Sequence, residues 1–423
     1  MPVEIKSNDF SGYCCMKQKK RTRRLYMTGY ALTPQKRIDQ SAVLCENGSI
    51  IAIGGVSAFN MDKELEIYDL PNAYIMPGFI DSHIHGGAGF DASRTGCNEG
   101  SIQAMSLLLA AHGITGFVPT VVSLPPQDML NTVAALAEVM THPMPGAEPV
   151  GIHLEGPFIN QLKRGAQNMD ALRQFDAVFL KELISAGKGM IRRVTFAPEL
   201  PGSDKLVEFL LQSDIQPSMG HSIANEAETL HAIDAGARCC THLFNGMPPL
   251  EQRCISITAV ALTDDRVTTE LIIDGRHLHP RMVELACRCK PETKLVAISD
   301  AIMASGMPDG KYFIGDTPIV VENGFSHNTE GKLAGTTTLL DTGWHSLMNY
   351  ANTDETYAAC SVSSNPALSL GLQDRGILRP GTRADMAIFE QGTNRLLMTV
   401  CRGEIVYCTE EIKPIQTPNE QPE

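Results

Sequence analysis

Between residues 77 and 300 the apolar pattern alternates between strand and helix, and this restricts the fold more than any other feature of the chain. Short apolar runs at 115–123, 149–155, 191–198, 215–220, 238–242, 268–274 and 294–300 read as buried strands. Between them, segments at 101–112, 127–140, 176–186, 203–212, 225–235 and 280–290 carry apolar residues three and four apart and read as helices. With a strand at the start of 76–89 this makes about eight β-α units, which close most simply into a (β/α)8 barrel. An open doubly wound sheet is the alternative, but no Gly-x-Gly-x-x-Gly run follows the first strand. The flanks read differently. Segments 24–32, 41–45, 49–53 and 64–70 at one end, and 384–390, 396–401 and 404–408 at the other, are short strands, with a hairpin signal at Glu46-Asn47-Gly48. We therefore expect an α/β protein: a TIM-type barrel at 77–378 beside a small β-sandwich built from both chain ends, 24–76 and 379–408.

Catalytic groups of such a barrel sit at the C-terminal ends of its strands, and there this chain places its polar residues. The stretch MPGFIDSHIHGGAG (76–89) ends a strand with His83 and His85, two positions apart and so on one face. His153 and Glu155 end VGIHLEG, His221 follows QPSMG, His242 lies in CCTHLFNG and Asp300 ends LVAISD. Five strand ends bearing His, Glu or Asp suit a divalent ion with an open position, and hence metal-assisted hydrolysis. Glu155 is the natural central ligand, because a carboxylate can bind one ion or bridge two. Asp300, alone on the last strand, suits proton transfer; a helix N-cap is its structural alternative.

Composition narrows the class. The net charge of −13 argues against a general nucleic-acid binder. The basic run Lys17, Lys19, Lys20, Arg21, Arg23, Arg24 reads as a solvated arm over 1–23, with Met16 as an alternative start, and 409–423 as a polar tail. No apolar run of about 18 residues suggests a membrane span and no leader pattern is seen, so a cytoplasmic protein is expected. The twelve cysteines are irregularly spaced and read as free thiols.

These motifs resemble the amidohydrolase superfamily and, within it, the N-acetylglucosamine-6-phosphate deacetylases. The matching segments are PGFIDSHIHGGAGFD (77–91), GIHLEGPFIN (151–160), MGHSIAN (219–225), THLFNGM (241–247), IIDGRHLHP (272–280), ISDAIMASGMPDGKY (298–312), LAGTTTLL (333–340) and NPALSLGL with GILRPGTRADMAIF (365–389). The resemblance implies release of acetate from an N-acetyl amino-sugar 6-phosphate with one or two divalent ions, zinc foremost. It implies Glu155, His221 and His242 as ligands of the shared metal site, and His83 and His85 as the pair that lets some members hold a second ion. It also implies Asp300 as general acid/base and His277 at the substrate carbonyl. Further substrate contacts are implied at Ala166, Asn245, Gly246 and the loop Leu333, Ala334, Gly335. Arg253 would reach the phosphate from a neighbouring subunit, which implies a homodimer. One residue departs from the pattern: Gln167 stands where the family has a substrate-facing histidine. A glutamine there still hydrogen-bonds but carries no charge, so an altered sugar preference is expected. The alternatives are the N-acetylgalactosamine phosphate as substrate, or a non-catalytic sugar-phosphate sensor that kept the barrel. A cyclic-amide hydrolase would call for a lysine on the strand that carries Glu155, and a deaminase has no use for the phosphate features.

Overall fold

The computed structural model describes residues 23–415 apart from 35, 62–63 and 95–98. The basic arm except Arg23, the alternative start at Met16 and the tail beyond 415 lie outside the described residues.

Eight parallel strands form the barrel: Phe79–Ile84, Ile114–Val122, Ile152–Glu155, Ile191–Phe196, Gln216–Met219, Cys239–Cys240, Thr268–Ile272 and Leu295–Ile298, each paired with the next in sequence order. The ring closes just beyond the strand ends. Asp300 N donates to His83 O at 3.0 Å and His85 N to Ala301 O at 2.8 Å. Closure is therefore made by the very residues that carry the polar side chains. The strand interiors are buried on both faces, as a sheet covered by helices requires.

Local chemistry sets where strands yield to helices. Asn225 and Glu228 form a capping box (Asn225 Oδ1 accepts from Glu228 N at 3.1 Å, Asn225 N donates to Glu228 Oε2 at 2.9 Å). The helix Glu226–Ala235 therefore starts there, which leaves His221 in the preceding loop. Pro126 and Pro280 open their helices at the position where a missing N–H costs nothing.

The two chain ends build one seven-stranded sheet in the order Glu404–Cys408, Leu396–Cys401, Met386–Glu390, Leu65–Pro77, Arg23–Leu32, Arg37–Glu46, Ser49–Gly55. All pairs are antiparallel except Arg23–Leu32 with Leu65–Pro77. The sheet curls back on itself: Ile50 N donates to Thr382 O and Gly381 N to Ile50 O, at 2.9 and 2.8 Å. Tyr26, Val43, Ile50, Ile75, Met386 and Met398 fill the space inside, which makes it the expected sandwich. It meets the barrel through rings. Phe389 of the sheet stacks on Phe79 of the first barrel strand at 5.7 Å and lies 4.8 Å from Trp344.

Residues 301–383 hold structure the pattern reading did not anticipate. A three-stranded antiparallel sheet, Gly310–Ile314, Thr317–Glu322 and Phe325–Asn328, rises beside the last barrel strand. Its signal was present in Asn323-Gly324, both at positive φ in a tight hairpin turn. Helices Leu340–Ala351, Glu355–Val362 and Ser364–Ser369 follow it. A short helix, Ile257–Thr263, also falls in the gap left between 242 and 268. The nine described cysteines are free.

Candidate metal centre

Two groups of buried ligand atoms face one another at the mouth of the barrel. Glu155, His221 and His242 form the first; His83, His85 and Asp300 form the second. Glu155 Oε1 lies 3.0 Å from His221 Nε2 and 2.9 Å from His242 Nε2. Asp300 Oδ1 lies 3.1 Å from His85 Nε2 and 3.3 Å from His83 Nε2. The groups share a wall: Glu155 Oε1 is 3.5 Å from His83 Nε2, and Oε2 is 3.6 Å from His85 Nε2.

Backbone carbonyls orient two of the rings. His221 Nδ1 donates to Lys163 O at 2.6 Å and His85 Nδ1 to Thr120 O at 3.1 Å. With one proton on Nδ1, the contact from each Nε2 to a carboxylate oxygen must hold either a second proton or a metal ion. Asp300 Oδ1 is buried with no aligned hydrogen-bond donor. The donor set of imidazoles and carboxylates matches a divalent ion such as zinc.

Electrostatics point the same way. Burial alone would raise the Glu155 carboxyl, but the charge of His221 and the hydrogen bonds from His221 and His242 hold it well below the usual range. Burial would also raise Asp300; His85, 3.1 Å from Oδ1, and the charge of His83 lower it instead. Burial disfavours charge on His85, yet Asp300 and Glu155 together push it up to about 9. Both carboxylates are thus held in their charged form by positive charge beside them, which a divalent ion would supply in place of imidazole protons.

Next to this centre lies a cavity of about 680 Å³ lined by Lys163, Arg164, Gly165, Gly246 and Lys332, among others. Gly165 and Gly246 bring it against His221: a Cβ on Gly246 would sit 3.0 Å from His221 Nδ1. Asn245 donates to His242 O at 3.3 Å, so it lies on the turn that carries that ligand. His277 is held by Asp274, Nδ1 to Oδ2 at 2.8 Å, and Asp274 raises its pKa against the effect of burial. Ala334 is buried, Leu333 exposed, and Gly335 N-terminal to the bridge between Thr336 and Ala301. Arg253 is exposed on its loop and makes no ion pair among the described residues. Of the residues expected to contact substrate, only Gly246 lines this cavity; Gln167 bonds Glu155 and Ser123.

Residues 74–406 match the family described as the amidohydrolase family. The chain belongs to the amidohydrolase family. It is 33% identical to the N-acetylglucosamine-6-phosphate deacetylase of Bacillus subtilis, over 88% of this chain and 95% of that protein. It is 31% identical to the N-acetylgalactosamine-6-phosphate deacetylase of Escherichia coli O157:H7, over 85% and 93%. A crystal structure of a mutant N-acetyl-D-glucosamine-6-phosphate deacetylase from Mycobacterium smegmatis, in complex with N-acetyl-D-glucosamine-6-phosphate, superposes with a TM-score of 0.84 at 30% identity, covering 91% of this chain and 99% of that one. Amidohydrolases are metal-dependent, and this one carries two buried clusters able to hold an ion.

Two parts of this amidohydrolase site escaped the motif reading, and one residue that it singled out, His153, falls outside both groups. His153 shares a strand face with Glu155 but joins neither group; it bonds Thr195 Oγ1 at 2.8 Å, and burial drives its pKa well down. Glu270 lies fully buried beneath the centre, with Oε2 3.5 Å from His83 Nδ1. Arg193, also fully buried, pairs with Glu270 Oε1. A glutamate and an arginine at inward positions of otherwise apolar barrel strands were the available signal, because neither is buried without a partner.

Proposed function

We propose that this chain hydrolyses N-acetylglucosamine 6-phosphate to glucosamine 6-phosphate and acetate, as a zinc enzyme of amino-sugar breakdown in the cytoplasm. The observation that carries this reading is the pair of buried ligand groups that contain Glu155 and Asp300, beside a cavity whose lining includes Lys163, Arg164 and Lys332. Overall similarity to deacetylases of both sugar epimers supports the reaction; the gluco sugar is favoured by the larger share of relatives that bear that name.

Zinc held by Glu155, His221 and His242, and by His83, His85 and Asp300 where a second ion binds, would polarise the acetyl carbonyl and bring the pKa of water down toward about 7. The chain's own groups do the rest. Asp300, ionised, accepts the proton of the attacking water and returns it to the sugar nitrogen as the C–N bond breaks. His277, fixed by Asp274, presents Nε2 to the carbonyl. Asn245, the Gly246 backbone and Ala166 hold the sugar phosphate, and the loop Leu333, Ala334, Gly335 closes over it. Arg253 of a second copy would fork onto the phosphate, so the working unit is a homodimer.

The test is acetate release by the purified zinc-loaded protein from N-acetylglucosamine 6-phosphate, N-acetylgalactosamine 6-phosphate and the unphosphorylated sugars. Turnover of the gluco phosphate is expected, with Asp300→Asn lowering kcat by roughly 10²–10⁴-fold. Faster turnover of the galacto phosphate would reassign the epimer. No release from any of them by protein shown to hold zinc would leave the sensor reading.

A further inference from the structure

Gln167 occupies a position from which a substrate contact was expected, but its side chain is spent elsewhere. It is 3% exposed. Nε2 donates to Glu155 Oε2 at 2.9 Å, and Oε1 accepts from Ser123 N and Ser123 Oγ at 2.9 and 2.5 Å. The Ser123 backbone N–H can only donate, so the amide oxygen must face it and the amide nitrogen must face Glu155.

We propose that Gln167, anchored by Ser123, is a positioning residue for the carboxylate of Glu155 rather than a substrate contact. The inference rests on the reading of Glu155 as a metal ligand. A carboxylate tethered by Oε2 cannot swing, so Oε1 stays aimed between His221 and His242.

The test is zinc affinity measured by competition with a chromophoric chelator, without substrate. Gln167→Met keeps the length of the side chain and removes the donor. Loss of such an outer hydrogen bond is expected to weaken tight zinc binding by about 10–100-fold. The KM for the sugar phosphate at saturating zinc should then move by less than about twofold, as uniform binding is untouched. Unchanged zinc affinity with a raised KM would overturn the proposal in favour of direct substrate contact. Should Gln167→Met not fold, Ser123→Ala removes one anchor only; a smaller loss of zinc affinity supports the tether and none overturns it. Wild-type protein without tight zinc would overturn the metal reading together with this one.

Discussion

His221, His242 and Asp300 all adopt positive φ, at 48°, 31° and 51°. A non-glycine residue held there costs on the order of 1–3 kcal/mol, so the surrounding contacts must over-determine each turn. What the turns accomplish is aim: each swings a side chain off its strand axis toward the ion site. Around Asp300 the brace is tight. Thr336 N donates to Asp300 O at 2.9 Å, and Gly335, at φ 61°, passes so close that a Cβ would lie 2.9 Å from Asp300 O and 2.4 Å from Ile302 Cγ2. Gly335→Ala is therefore expected to lower stability by about 1–3 kcal/mol and to depress kcat by displacing Asp300. Thermal melts and steady-state kinetics check it; a variant with wild-type Tm and kcat would show that the loop yields freely.

At the scale of elements, short links tie the outer helices to one another as well as to the strands. His112, just past helix Glu99–Ala110, meets Asp341 in the first turn of Leu340–Ala351, Nδ1 to Oδ2 at 2.7 Å. Burial alone would lower the His112 pKa; the hydrogen bond and charge of Asp341 raise it. A folded-state pKa above the unfolded value of about 6.5 gives stability that is fully present below that value and lost as pH rises through the raised one. The Tm advantage of wild type over His112→Gln should accordingly shrink as pH rises above the unfolded value of about 6.5. Because the two proteins share every titrating group except His112, their difference isolates this pair. An advantage independent of pH would mean that the link is not an ion pair.

For the whole molecule, the joint between sheet and barrel is aromatic. Trp344, the single tryptophan, is fully buried against Phe79 and Phe389, at 5.4 and 4.8 Å between ring centres. Its emission reports the joint, whereas far-ultraviolet circular dichroism reports the barrel helices. We expect the two to follow one denaturant transition, because the sandwich cannot separate without opening the first barrel strand. Separate midpoints would show that the sheet unfolds by itself. Among the described residues no helix is long and apolar enough to cross a membrane. Charge is divided by region: the chain is acidic as a whole, yet Lys163, Arg164 and Lys332 line the cavity beside the centre, the last two sharing the one carboxylate of Glu330. Local, not net, charge is what an anionic substrate meets at the mouth.

Periodicity and turn chemistry carried the architecture. Strand runs, helix faces and glycine turns are short-range signals, and they read correctly as a barrel closed beside a sheet of both termini. The strand-end histidines and carboxylates were equally legible, since side chains two apart on a strand share a face. What periodicity cannot convey is depth. His153 and Glu155 point inward alike but stand about 7 Å apart along the strand, so Glu155 reaches the ion groups while His153 lies a layer below among threonines. Only barrel closure ranks those layers. The same closure carries Glu270 and Arg193, 77 residues apart in sequence, to a point beneath His83. It also directs Gln167 onto Glu155. A residue type names the bonds a side chain can make; the packed barrel selects which of them it makes, because burial leaves each polar atom only the partners that the neighbouring strands bring within reach.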